Sequence, residues 1–339
     1  MPPRSLLRCA GLLSALALST RAQPPTPTPS PKAPPPLRLL FSALVPEATF
    51  AIAGPRDFAA TEDALWVSSR SAGSVSRIDP KTNKIVETIA AGKDLCVGIV
   101  ADFGSVLVPQ CAQNRIARVD AKKNSLGDVL PTFLAQNANS LAAGVGSLWV
   151  ITDAKGTIAR IDPVADTVVA LVYTAPGATS IGFGEGGLWV ASARENLVTR
   201  VNPYTNVVVE TIAVANGPSD IAIGEGAVWT WNRGDGSVTR MDPKANAIVT
   251  TIKLGAMVGA EARIVAGEGS VWVAGPGAPL TRIDPRTNQV AQMFTGAGGS
   301  SIAIAHGSIW ITASPAVVWR LDPRRIEATR DAGPTRPKN

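Results

Sequence analysis

Val238-Thr239-Arg240-Met241-Asp242-Pro243 recurs with small changes along the chain, and its recurrence decides the fold. The pattern is aliphatic, any residue, Arg, aliphatic, Asp or Asn, then Pro. It is centred on Arg77, Arg160, Arg200, Arg240, Arg282 and Arg320, and a further copy at Arg118 carries Ala121 in place of the proline. The acidic or amide position therefore falls at Asp79, Asp120, Asp162, Asn202, Asp242, Asp284 and Asp322, spaced 38 to 42 residues apart. A period near 40 predicts one four-stranded unit per repeat, stacked on its neighbours to bury a shared core.

The copy around Arg240 shows the unit most cleanly. Asp220–Ile223 alternates and runs into Gly224-Glu225-Gly226, a hairpin turn. Ala227–Thr230 is the second strand and Val238–Asp242 the third. Asp242-Pro243 then makes a turn, because Pro presets φ and an Asp side chain bonds the turn backbone. Ile248–Ile252 is the fourth strand. The second-strand position reads Trp66, Leu107, Trp149, Trp189, Trp229, Trp272 and Trp310 around the chain. The expected fold is all-β, a seven-bladed β-propeller with four antiparallel strands per blade. Large aromatics at one repeated position predict wedge filling between sheets, and the repeated Arg and Asp predict ties between blades or braces of turns.

The ends complete the ring. After Pro323 the segment Arg324–Arg330 lacks the alternating fourth strand. Ala48–Asp57 instead resembles the fourth-strand exit Ile212–Asp220. An N-terminal strand is thus expected to close the last blade and remove an open edge. The short apolar run Leu37–Val45 has no place in this scheme. Residues 1–22 read as a signal peptide, with Arg4 and Arg8 ahead of an apolar run and a Thr20-Arg21-Ala22 cleavage site. Residues 23–47 read as a Pro-rich spacer and lead-in, 48–323 as the propeller, and 324–339 as a basic, disordered tail. The protein is expected to be secreted or periplasmic, with no transmembrane anchor after cleavage, and a monomer. The net charge of +6 resides in the leader and the tail, so the propeller offers no basic face for nucleic acid.

Cys96 and Cys111 flank the first hairpin of blade two at nearly equal distance from its Phe103-Gly104 turn, which predicts a cross-strand disulfide. Blade two lacks the second-strand Trp, so a covalent clip there would offset thinner packing. The only histidine, His306, falls in a hairpin turn, and no Ser-His-Asp or Cys-His arrangement can be assembled around it. No catalytic residue is assigned. Candidate functional residues are those that depart from the repeat on one rim. The position leading into each first strand reads Asp57, Gly98, Ser140, Ser180, Asp220, Arg263 and Ser301. Trp231 is the sole aromatic at its repeat position. Asp220, Trp231, Asn232, Arg233, Glu261 and Arg263 of blades five and six are therefore the expected ligand-binding set, an aromatic platform with mixed charges. No metal site or cofactor is assigned, the alternative being Mg or Ca held by Asp57, Asp153 and Asp220 at the channel mouth.

The unit Ile-Ala-x-Gly-x-Gly-x-Val-Trp followed by Val-x-Arg-Ile-Asp-Pro-x-Thr-Asn resembles the extracytoplasmic YVTN/NHL-like propellers and the repeats of virginiamycin B (streptogramin B) lyases, over residues 48–323. The resemblance implies a propeller, and in the lyases a chemistry of histidines, a glutamate and a magnesium ion at the channel mouth. Here the leading positions offer Asp57, Ser140, Ser180 and Asp220 and no histidine. The expected function is an extracytoplasmic binding or scaffold propeller whose rim meets a small polar ligand, a peptide or a protein. The alternative is a metal-dependent lyase or lactonase.

Overall fold

A computed structural model describes residues 35–93, 95–96, 98–135, 141–254 and 261–329. The expected signal peptide, most of the Pro-rich run, Ser140 and the tail beyond residue 329 lie outside the described residues. The described residues form seven sheets, one per blade, each built on four antiparallel strands. Blade five, taken as the type, runs Pro218–Gly224, Ala227–Asn232, Ser237–Asp242 and Ala247–Lys253. First strands of successive blades adjoin one another, from Pro55–Ala60 in blade one round to Ile302–Ala305 in blade seven and back, so they line a central channel.

Seven hydrophobic clusters occupy the seven interfaces between adjacent blades. The second-strand Trp of six blades faces the next blade: Trp229 joins Val271 and Met293 of blade six, and Trp310 joins Leu65 of blade one, with Phe50 beside it. All six of these Trp side chains are buried. Burying one such side chain contributes roughly 2–3 kcal/mol. Each indole N–H is also satisfied. Trp229 Nε1 donates to Gly224 O at 3.1 Å, with the same bond in four other blades, while Trp66 donates to Thr61 Oγ1.

The repeated Arg ties blades together. In register it lies opposite the Trp on the next strand, Arg240 against Trp229, with its guanidinium 5.1 Å from the ring centroid. From there Arg240 donates to Pro285 O (2.6 Å) and Asn288 Oδ1 (2.7 Å) in the turn of the following blade. Arg200 and Arg320 make the same pair of bonds to Pro243 with Asn246 and to Pro80 with Asn83. The Asp of each motif braces its own turn instead. Asp242 Oδ1 accepts from the amides of Lys244 and Ala245, and Asn246 closes the turn at φ 52°, a left-handed conformation that Asn tolerates. The two conspicuous residues therefore serve different contacts. An ion pair between blades occurs at Arg118 and Asp166.

Closure follows the expected route. Ala48–Ala51 pairs antiparallel with Val317–Leu321 as the fourth strand of blade seven. The run before it also has a place: Leu37–Leu40 adds a fifth, parallel strand to the outer edge of blade six, against Gln292–Thr295. Phe41 then packs beneath blades six and seven, stacked on Trp319 at 5.0 Å. The expected disorder from residue 324 is corrected by a short helix, Pro323–Ala328. Asp322 caps it, Pro323 starts it and Ile326 is buried, so three local preferences favour the helix. Its Glu327 accepts from the buried Arg282 at 2.6 Å, taking the place of the blade-seven turn that this arginine would otherwise reach.

Cys96 and Cys111 form a disulfide, with Cα atoms 5.7 Å apart. Both belong to the cluster between blades two and three, where Leu107 stands in place of the Trp. A loop of 15 residues is worth about 3 kcal/mol in the chain-entropy estimate. Reduction, or Cys96→Ser with Cys111→Ser, should lower stability by about that amount in urea unfolding. Thiol titration of unfolded, non-reduced protein should find neither cysteine free.

Candidate functional site at the channel mouth

Three charged residues, two from adjacent blades and one from across the channel, meet near the start of the first strands. In blades one, five and six the first strands carry Asp57, Asp220 and Arg263 at one shared repeat position, and all three line the channel cavity. The guanidinium of Arg263 bridges both acids, 3.1 Å from Asp57 Oδ1 and 3.5 Å from Asp220 Oδ1. Asp220 also accepts from Ser180 Oγ (3.0 Å) and the Ile264 amide (3.0 Å). Both acids are buried. Below them lies a cavity of ≈ 340 Å³ walled by Phe58, Ile99, Ile221, Ile223, Ile302 and Ile304.

The electrostatics follow from this burial. Loss of hydration pushes the Asp220 carboxyl above its usual range, against the opposing pull of Arg263 and the hydrogen bonds. For Arg263 burial disfavours the charge, but the carboxylates of Asp220, Asp57 and Glu261 outweigh it and hold the guanidinium above its ordinary value. One acceptor stands out. Asp57 Oδ2 is buried and has no hydrogen-bond partner among the described residues. Such an atom costs about 1–3 kcal/mol unless a donor reaches it.

Of the expected binding set, Asp220 and Arg263 are brought together, with Glu261 exposed nearby and within electrostatic reach of the guanidinium. The expected aromatic platform is corrected. Trp231 is fully buried among Trp229, Val238 and Met293, because it lies two residues after Trp229 and so shares its inward face. Asn232 is buried too, donating to Ser237 Oγ and Thr239 Oγ1. Arg233 is exposed in the following turn. The sequence reading placed Asp57 in the cation alternative and not in the binding set. The signal available was its shared repeat position with Asp220 and Arg263. His306 occupies the expected hairpin turn, its ring half covered and Nε2 buried without a partner among the described residues.

The three acids of the divalent-cation alternative each have other partners in this structure. Asp153 turns away to cap its own loop, accepting from the amides of Lys155 and Thr157 and from Thr157 Oγ1. Asp57 and Asp220 share the Arg263 cation. Among the described residues no group of three His, Cys, Asp or Glu could hold a metal ion.

No protein-family model matches the chain, and no curated protein does either. The architecture is shared with solved propellers. A streptogramin B lyase aligns over 80% of this chain and 94% of its own at 18% identity and a TM-score of 0.64. A catalytically inactive virginiamycin B lyase from Staphylococcus aureus, solved with quinupristin, aligns over 80% and 98% at 17% identity and 0.65. The WD40 domain of Neurospora crassa Pan2 aligns over 81% and 94% at 11% identity and 0.64. The chain thus shares its propeller fold with the lyases and with the WD40 domain alike. At such identities the likeness concerns the fold, which hosts many unrelated functions.

Proposed function

We propose that this chain is an extracytoplasmic binding propeller that receives a small polar ligand, or the polar end of a peptide or protein, at the channel mouth around Asp57, Asp220 and Arg263. The observation that carries the reading is Asp57, a residue that lines the cavity and whose buried Oδ2 has no hydrogen-bond partner among the described residues. A carboxylate oxygen in that state favours a ligand that presents an N–H or ammonium donor. Convergent polar groups at the wall of a cavity are what fix a small ligand's orientation. Placement outside the cytosol is supported by the Cys96–Cys111 disulfide, since such bonds persist in oxidising compartments. Among the described residues no helix is long and apolar enough to cross a membrane.

The test is a thermal-shift screen with amino acids, simple amines and dipeptides at up to about 10 mM. A ligand present well above its dissociation constant stabilises the folded state by about 2–3 kcal/mol, a readable rise in Tm. Amine-bearing compounds should raise the Tm of the natural protein and lose that effect in Asp57→Asn. If no compound raises Tm, or if Asp57→Asn responds unchanged, the reading fails.

A further inference from the structure

A second cavity opens between blades seven and one, beside the channel mouth but with its own lining. Pro55, Ala313 and Pro315 wall it, Gly298 and Gly299 are part of its lining, and Arg56 and Arg70 border it, enclosing ≈ 750 Å³. The two arginines come from one hairpin. Arg56 lies in the first strand of blade one, Arg70 directly follows the second, and Pro55 is opposite Ser69 in the register. Diagonal neighbours in such a pair are about 7–8 Å apart, close enough for two long side chains to reach one ligand.

Neither arginine has a carboxylate partner among the described residues. Among the described residues no ion pair includes Arg56 or Arg70. The repeated arginines are engaged with the next blade and Arg263 with two acids, so these two differ from the other arginines of the channel and the blade interfaces. Arg56 also departs from the repeat, where the equivalent positions carry Thr179, Ser219, Ala262 and Ser300. Two guanidiniums without counter-charge at one opening create a local positive potential in a propeller of balanced charge.

The rest of the cleft says what kind of anion fits. The amides of Gly299 and Ser300 are already used, the first bonding Thr312 O and the second Thr312 Oγ1. An anion would therefore be held by the guanidiniums, whose planar forks match a carboxylate. The walls are apolar, which favours a ligand with a hydrophobic body. The shape is also preset. Gly298 has φ +123°, and a Cβ there would come 2.6 Å from Phe41 Cε1 and 2.8 Å from Ala313 O. A Cβ on Gly54, at φ +58°, would overlap Ser71 Oγ. At φ +123° and +58° both positions favour glycine, and at Gly298 a backbone carbonyl bars a Cβ.

We propose that this cleft binds an organic carboxylate with an apolar body, its carboxylate clamped by Arg56 and Arg70. Two sources share that chemistry, the C-terminus of a peptide ending in an apolar residue and a free hydrophobic acid. Isothermal titration of the full chain at low salt would use N-acetyl-leucine and acetyl-Ala-Ala-Leu, each as the free acid and as the amide. Both acids, or either one, should bind while the amides do not. Arg56→Gln or Arg70→Gln should weaken binding about tenfold or more, and the double variant should abolish it with Tm unchanged. Tighter binding of the tripeptide acid assigns a peptide terminus, and equal or tighter binding of N-acetyl-leucine assigns a free acid. The proposal is overturned if the amides bind as well as the acids, if binding survives the double variant, or if neither acid binds at about 10 mM.

Discussion

Deletion of residues 46–53 abolishes cooperative folding of the propeller in the expected result. The deleted segment supplies the fourth strand of blade seven, Ala48–Ala51, whose ladder to Val317–Leu321 joins the start of the chain to its end. Phe50 and Ile52 are buried in the cluster between blades seven and one, where Phe50 meets the Trp310 ring at 5.6 Å. Loss of two such side chains removes on the order of 3–6 kcal/mol of burial before the ladder is considered. A domain with about 5–15 kcal/mol of net stability does not absorb that loss easily. The cut also severs the Arg320–Glu47 pair and exposes the Val317–Leu321 edge to intermolecular pairing. Urea unfolding followed by near-ultraviolet circular dichroism should show a broad transition, or none, with aggregation. Phe50→Ala alone should cost about 3–5 kcal/mol with cooperativity retained. An unchanged Tm in the deletion would mean that the ring closes by other contacts.

The architecture was legible because repetition converts weak local signals into a strong one. A single Val-x-Arg-Ile-Asp-Pro says little, but seven copies at a regular spacing specify blade number, strand order and the segment left to close the ring. The roles of Arg and Asp within the motif were only partly legible. Spacing puts both on one face of a strand, whereas the partner of Arg240 lies 45 to 48 residues away in the next blade. The strand Leu37–Leu40 was not legible, since it repeats nothing and pairs with an edge about 255 residues distant. Trp231 was misplaced for a correctable reason. Its rarity at that repeat position suggested the rim, but its separation from Trp229 by two residues already dictated the wedge. The site itself was half legible. Asp220 and Arg263 occupy the same repeat position in adjacent blades, so their meeting could be read from the repeat. The bond from Arg263 to Asp57 spans 206 residues and depends on how far a side chain reaches across the channel.

Removing that arginine should have the second large effect. In Arg263→Ala the buried carboxylates of Asp57 and Asp220 lose their shared cation, and breaking one partner out of a buried set costs about 3–5 kcal/mol. The pH dependence distinguishes this charge effect from simple loss of packing. The Asp220 carboxyl is already raised by burial in the folded protein, while in the unfolded chain it titrates near about 3.9. A group raised in the folded state binds its proton more tightly there. Its favourable contribution is therefore complete below the unfolded value and is lost as pH rises through the folded one. Without Arg263 the folded value moves higher still, because the attraction that opposed desolvation is gone. The deficit of Arg263→Ala should thus be largest near neutral pH and should narrow as the medium is acidified, measured by urea unfolding of both proteins at matched pH. A deficit that stays constant with pH would assign the loss to packing. The triple variant Asp57→Asn, Asp220→Asn, Arg263→Met carries the argument further. With no buried charge left to neutralise, it should regain much of the stability lost in Arg263→Ala, as replaced buried ion pairs often do. It should also lose the amine response expected at Asp57. The charged cluster would then be a device kept for binding at the cost of stability, and the propeller beneath it would not need it in order to fold.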